Sequence, residues 1–140
     1  MSKKLTKHVM KTDTDSPFEF TVLLVDDDDK FRKQLAQYLR DEGFRIVEAN
    51  SSSKACALIR KRTVSLVLLD WDLHKANSSP VDASTGLEIV RTCHEVNVLL
   101  PVIAMSGALG FDAGADALMA GADCFFKKPF PPSLLTEHLH

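Results

Sequence analysis

The sequence lacks a long hydrophobic run: nowhere in its 140 residues do 18 uncharged apolar residues follow one another. A transmembrane helix needs a stretch of about that length, and no signal-peptide stretch is present, so we expect a cytoplasmic protein. An excess of charge of one sign is also missing, since 17 basic residues face 19 acidic ones. The sequence therefore carries no electrostatic footprint for nucleic acid, and we expect neither nucleic acid nor membranes as direct partners.

Cysteine is scarce as well, and the three present, Cys56, Cys93 and Cys124, lie far apart in apolar or helical contexts. Their odd number and wide spacing argue against a disulfide framework and against a zinc site. We expect three buried thiols in a reducing compartment. A chain of 140 residues buries enough surface on folding to form one domain without covalent cross-links.

The first residues differ in composition from the rest. Four lysines within the first eleven residues make a basic stretch, and acidic residues follow it at once. Such a polar segment is typical of a solvated tail, because it cannot bury enough apolar surface to fold. We expect residues 1–18 to be a flexible leader and residues 19–140 to form a single domain.

From residue 19 onward, strand-like and helix-like segments alternate. Short apolar runs predict five strands, at about residues 20–26, 44–49, 64–70, 99–106 and 123–127. The first and third of these runs have no polar alternation, which is typical of strands buried on both faces of a sheet. Capped or amphipathic stretches predict helices at about residues 28–43, 51–61, 85–95, within 107–121, and from Pro131 or Pro132 onward. This alternation predicts an α/β fold: a doubly wound, five-stranded parallel sheet with helices on both faces.

Acidic residues end two of these strands. Asp26 and Asp27 close the first strand, and Asp70 closes the third. Ligands of such sheets bind beyond the carboxyl ends of the strands, where the strand order reverses, so we expect the three carboxylates to form one site. Three neighbouring carboxylates need a cation, and carboxylate oxygens suit a hard divalent ion. The simpler interpretation as helix caps suits Asp28 and Asp29, but it does not explain strand ends that converge.

Four sequence blocks resemble the signature blocks of response-regulator receiver domains, and the match extends over about residues 20–140. Each block lies at the end of a predicted strand: Val25-Asp26-Asp27-Asp28, Leu69-Asp70-Trp71-Asp72-Leu73, Ala104-Met105-Ser106-Gly107 and Lys127-Lys128-Pro129-Phe130. The resemblance implies a flavodoxin-like sheet with strand order 2-1-3-4-5. It also implies a phosphoacceptor that catalyses only its own phosphotransfer and dephosphorylation, and is not an enzyme acting on outside substrates.

The resemblance implies a role for each acidic residue. Asp70 would receive a phosphoryl group from a histidine kinase or a phosphotransfer protein. Mg²⁺ would be held by Asp26, Asp27, Asp70 and the backbone carbonyl of Asp72. Mg²⁺ that bridges a carboxylate and a phosphoryl oxygen neutralises charge that would otherwise repel the donor.

The resemblance also implies how the phosphoryl group would be detected. Ser106 and Lys128 would contact the phosphoryl oxygens, and Phe125 would turn inward when Ser106 moves. This switch would change the surface formed by the fourth helix, the fifth strand and the fifth helix, where a downstream protein target would bind. A cis peptide bond is expected between Lys128 and Pro129.

Two features depart from the pattern of the family. His74 stands where receivers commonly carry a proline, and Thr85-Gly86 replaces an Asp-Gly pair. The spacing between Asp70 and Gly86 is unusually long, so Ala76–Ser84 resembles an insertion. We expect it to be a mobile loop that filters phosphodonors or water. Shortening it should alter transfer or dephosphorylation rates and keep the melting temperature within a few degrees.

Two alternatives remain open at this stage. The segment from Leu68 to Asp72 also resembles the Asp-x-Asp motif of haloacid-dehalogenase-like phosphatases, in which Asp72 would act as acid or base. That family usually carries the motif on its first strand, and the later acidic residues it needs have no candidate here. The other alternative is a degenerate receiver that binds partners without phosphate. A second copy of this chain, forming a homodimer, is a further candidate partner.

Overall fold

The aliphatic runs form one parallel sheet in the computed structural model, which describes residues 19–71, 85–107 and 112–139. The strands are β1 (Thr21–Val25), β2 (Arg45–Ala49), β3 (Leu66–Asp70), β4 (Val102–Ser106) and β5 (Cys124–Lys127). The helices are α1 (Asp29–Asp41), α2 (Ser52–Arg60), α3 (Thr85–Val96), α4 (Asp112–Ala120) and α5 (Pro132–Leu139). The sheet order is β2-β1-β3-β4-β5, and all neighbouring strands are parallel. The predicted fold class and strand order are therefore confirmed.

Alternate residues of each strand belong to two separate hydrophobic cores, because successive side chains point to opposite faces of a sheet. One core packs β-strand residues such as Leu69 and Ala104 against buried residues of α2, α3 and α4. The other packs residues such as Leu68 and Met105 against buried residues of α1 and α5. All residues of β1, β3 and β4 are buried, which explains why these strands read as unbroken aliphatic runs.

Helix caps lie where the sequence predicts them. Asp28 is the N-cap of α1, and its Oδ1 accepts a hydrogen bond of 3.1 Å from the amide of Phe31. Ser51 caps α2 in the same way through the amide of Lys54. Gly43 follows α1 with a φ of 102°, a conformation that glycine adopts at little cost. These local signals fix where α1 starts and stops, and thereby how the turn after β1 approaches the sheet edge.

The predicted start of β4 is wrong by three residues. The strand begins at Val102 and not at Leu99, which is 83% exposed. Pro101 has no N–H to donate to a ladder, and the amide of Val102 instead opens the strand by donating to Asp123 Oδ2 at 2.8 Å. An aliphatic run thus continues beyond the strand onto the surface.

The prediction of three buried thiols is correct for two of them. Cys56 and Cys93 are buried, but Cys124 is only partly buried. Cys124 begins β5, an edge strand in which no residue is fully buried. The apolar context of the sequence did not show that this strand lies at the edge of the sheet.

Several predictions concern residues outside the described ranges: the leader at residues 1–18, Asp72, His74 and the insertion Ala76–Ser84. Among the residues that are described, no helix has the length and apolar character needed to cross a membrane.

Candidate functional site

The carboxyl ends of β1 and β3 bring three carboxylates together. Asp26 and Asp27 follow β1 directly and Asp70 ends β3, and one oxygen from each lies within 4.8 Å of the others. Asp26 has no exposed surface and Asp70 is 3% exposed. The strands β1 and β3 are neighbours although β2 separates them in sequence, so the cluster lies where the strand order reverses. The structure therefore brings together the acids that the sequence predicts as one site.

Lys128 reaches this cluster from the end of β5. Its Nζ lies 2.9 Å from Asp26 Oδ2 and 3.5 Å from Asp70 Oδ1. The Lys128–Pro129 peptide bond is cis, as predicted. Burial disfavours the charged ammonium, but the carboxylates of Asp70 and Asp26 outweigh burial and raise the pKa of Lys128. The site therefore contains a fixed positive charge between two buried acids.

Asp27 shows why the cluster suits a cation. Partial burial raises the pKa of Asp27 above its ordinary value, and the charge of Asp26 raises it further. Lys128 offsets only part of this repulsion. Three carboxylates are the oxygen donors that a hard divalent cation such as Mg²⁺ binds, usually with several waters retained. The donor set of Asp26, Asp27 and Asp70 thus fits Mg²⁺ chemically.

Ser106 and Phe125 lie on the two strands beyond β3. Ser106 ends β4 with no exposed surface, one residue past Met105, which pairs with Asp70 across the sheet. Its carbonyl accepts a hydrogen bond of 2.8 Å from the amide of Lys128. Phe125 on β5 is partly buried and packs against the core that α2, α3 and α4 share. The predicted switch residues therefore lie on β4 and β5, and Lys128 reaches the acidic cluster from the end of β5.

The first turn of α1 contributes two contacts that the sequence analysis missed. One is with Phe31, because Lys128 Nζ lies 4.2 Å from the centroid of its ring. Arg32 is 7% exposed, and its Nη1 donates to the carbonyl oxygen of Asp26 at 2.9 Å. One signal pointed to Arg32, since it follows Asp29 by three residues, which is ion-pair spacing on a helix.

A family model described as the response regulator receiver domain matches residues 22–140. The chain belongs to this family. The receiver domain is similar to the phosphate regulon transcriptional regulatory protein PhoB of Pseudomonas aeruginosa, with 32% identity over 121 residues, covering 85% of this chain and 49% of PhoB. The chain thus spans about half the length of that relative, and only 22% of NtrX-like response regulators from Rickettsia species.

Solved structures agree with this assignment. The receiver domain of NtrX from Brucella abortus is 30% identical in sequence and superposes with a TM-score of 0.72. The superposition covers 84% of this chain and 93% of that one. A CheY-like receiver domain protein from Methanospirillum hungatei is 26% identical, also with a TM-score of 0.72, covering 86% of this chain and 90% of that one. The family assignment favours the receiver over the haloacid-dehalogenase-like phosphatase.

Proposed function

We propose that this receiver domain accepts a phosphoryl group on Asp70 from a histidine kinase or a phosphotransfer protein, in a reaction that depends on Mg²⁺. The observation that carries the proposal is how the acids are engaged. Both oxygens of Asp26 are held, Oδ1 by the amide of Asp28 at 2.9 Å and Oδ2 by Lys128 at 2.9 Å. These two contacts hold the Asp26 carboxylate in one orientation beside the proposed metal site. Asp70 ends its strand beside the same ammonium, which suits a nucleophile.

The transfer would form a bond between a carboxylate oxygen of Asp70 and phosphorus, while the bond from phosphorus to the donor breaks and the donor atom keeps the electron pair. Asp26, Asp27, Asp70 and the backbone carbonyl of Asp72 would hold Mg²⁺. When bound, Mg²⁺ neutralises negative charge on the phosphoryl oxygens.

Two residues of this chain would stabilise the product. The Lys128 ammonium supplies a positive charge beside Asp70, and a charge-assisted hydrogen bond to a phosphoryl oxygen is stronger than a neutral one. The Ser106 hydroxyl, at the end of the adjacent strand, supplies a second donor.

The output would be a change in a binding surface. In this proposal the phosphoryl group draws Ser106 toward it, Phe125 turns inward, and the surface of α4, β5 and α5 repacks to bind a downstream protein target. Exposed apolar side chains on this surface support the proposal: Leu118 is 49% exposed, Met119 88% and Leu134 42%. Contiguous exposed apolar groups are typical of protein-binding surfaces, and Leu118 and Met119 are adjacent in the sequence.

We also propose that residues 19–140 act as one receiver unit, preceded by a leader at residues 1–18, and that the unit turns over no outside substrate. A degenerate receiver that ignores phosphate is the remaining competitor. The presence of all five residues that phosphoryl chemistry requires in this family argues against it: Asp26, Asp27, Asp70, Ser106 and Lys128.

Intact-mass measurement tests the proposal directly. Incubation with Mg²⁺ and acetyl phosphate should add one phosphoryl group, and Asp70→Asn should abolish the addition. Asp28→Asn is the matched control, because asparagine is an equally good helix cap and Asp28 has no place among the three converging acids. Labelling of the Asp70→Asn variant, or labelling that ignores a chelator, would contradict the assignment. Steady phosphate release from an unrelated phosphoester would favour the phosphatase.

A further inference from the structure

We infer that Arg32 is a positioning residue that fixes the metal-binding turn after β1 through the main chain. This inference rests on the proposed Mg²⁺ site. Arg32 Nη1 donates a buried hydrogen bond of 2.9 Å to the carbonyl oxygen of Asp26. That carbonyl belongs to the peptide unit joining Asp26 to Asp27, two of the three predicted carboxylate ligands. The guanidinium therefore fixes the orientation of this peptide plane. The orientation of the plane in turn sets the direction in which the Asp27 side chain leaves the backbone.

Arg32 is itself held on two further sides. Its Nε donates to Glu48 Oε1 at 3.0 Å, and Nη1 also pairs with Asp29 Oδ1 at 2.7 Å. Glu48 lies on β2, and its second oxygen pairs with Arg40 Nη2 at 3.1 Å. Because the guanidinium is planar, two carboxylates that contact its nitrogens fix its orientation. Arg32 thus connects β2, the first turn of α1 and the metal-binding turn in one rigid arrangement.

Residues that orient metal ligands from outside the ligand set are known to matter for affinity, and their loss commonly costs about tenfold or more. Arg32 has a second, opposing property. Its positive charge close to the acidic cluster repels a cation, so charge alone predicts that its removal strengthens Mg²⁺ binding. The two properties can be separated, because lysine keeps the charge and loses the planar, multidentate fork.

The test is a Mg²⁺ titration of the full chain, followed by amide chemical shifts and by the fluorescence of Trp71, the only tryptophan. Arg32→Lys should weaken Mg²⁺ binding about tenfold. Arg40→Gln is the matched control, because it removes the other partner of Glu48 without contacting Asp26, and its affinity should stay within about twofold of the original chain. Unchanged affinity in Arg32→Lys would overturn the inference.

A measurement on the unaltered chain covers the case in which Arg32→Lys fails to fold. Coupling between two sites is reciprocal, so saturation with Mg²⁺ should slow hydrogen exchange at the Arg32 side-chain nitrogens. If the amide of Asp27 responds to Mg²⁺ and the Arg32 side chain does not, the inference is wrong while the proposed function stands. If the unaltered chain binds no Mg²⁺ at all, the proposed function itself fails, and the inference with it.

Discussion

The sheet is built differently at its centre and at one edge. In the central region, made of β1, β3 and α1, every strand residue is buried and α1 starts at a side-chain cap. In the edge region, made of α4, β5 and α5, no residue of β5 is fully buried, and α4 exposes Leu118 and Met119. Low burial marks the parts of a protein that open or repack at least cost. Phosphoryl chemistry needs fixed carboxylates and a response needs a surface that can change, so the two regions suit the two tasks.

Lys128 joins the two regions. Its backbone follows β5, in the edge region, whereas its ammonium contacts Asp26 and Asp70 in the central one. A phosphoryl group on Asp70 would compete for this ammonium, and any shift of Lys128 acts on the strand to which it is attached. Any coupling between the two regions therefore depends first on this side chain.

The largest effect is expected for Lys128→Met. This substitution leaves two buried carboxylates without their cation, and such a loss typically costs about 3 kcal/mol of the free energy of unfolding. Urea denaturation in chelator should show this loss, and Mg²⁺ should restore much of it. Because the pKa of Lys128 is raised, its stabilisation is complete below the ordinary value of 10.5 and disappears as the pH rises through the folded pKa.

The control for this prediction is Lys127→Met, which removes the charge of the exposed neighbour on β5. Its stability should change by no more than about 0.5 kcal/mol. Equal losses in the two variants would show that Lys128 does not anchor the edge region to the acids.

The second largest loss of stability is expected where the edge region packs against α3. Gly121 precedes β5 with a φ of 118°, and a Cβ placed there would overlap the ring of His94 and lie 3.2 Å from Val90 Cγ1. Gly121→Ala should cost about 2 kcal/mol in urea denaturation, since both the backbone and the packing oppose it. Gly107→Ala is the matched comparison, because its Cβ would meet only Lys128 Cβ at 3.8 Å, an ordinary contact. Equal stability of the two variants would show that the backbone at Gly121 does not pack closely against α3.

Most of the central region could be predicted from the sequence because its signals are local. Aliphatic runs mark the strands, and acids that close two of them imply a shared site once the strands are taken as parallel. The structure confirms this convergence for Asp26, Asp27 and Asp70. The strand order itself came from the family resemblance, since periodicity carries no information about which strands are neighbours.

Other features arise only from tertiary structure. The contacts of Arg32 depend on Glu48, which β2 places opposite Leu24 of β1, so a residue sixteen positions away completes the arrangement. No local pattern reports such a pairing. The partial exposure of Cys124 and the exposed Leu99 have the same origin, because hydrophobicity along the chain does not reveal which strand becomes an edge or where the ladder begins.

A smaller effect on stability, and a larger one on the response, is expected for Ser106→Ala. The variant should still be phosphorylated on Asp70, because Ser106 is not among the acids proposed to hold the metal. Removing the hydroxyl takes away one hydrogen-bond donor for the phosphoryl oxygens. A phosphoryl mimic should therefore cause smaller changes in the amide chemical shifts of residues 107–130. Amide spectra with and without the mimic measure this, with the exposed Ser133→Ala as control. Shifts of full size in Ser106→Ala would remove Ser106 from the switch.

The smallest perturbation leaves the sequence unchanged and uses the thiols to compare the regions. Burial, with the nearby Cys56, raises the pKa of Cys93 from its ordinary value of 9.0 to about 12, so almost no thiolate is present at pH 8. Cys124 is more exposed, and it should react first with a thiol reagent, whereas Cys56 and Cys93 should react only on unfolding. A separate control variant, Cys124→Ser, should lack the fast phase of the reaction. Phosphorylation should then change the rate at Cys124 and leave Cys93 protected, because the proposed switch repacks only the edge region. If phosphorylation changed the reaction rates of Cys124 and Cys93 to the same extent, the two regions would respond as one.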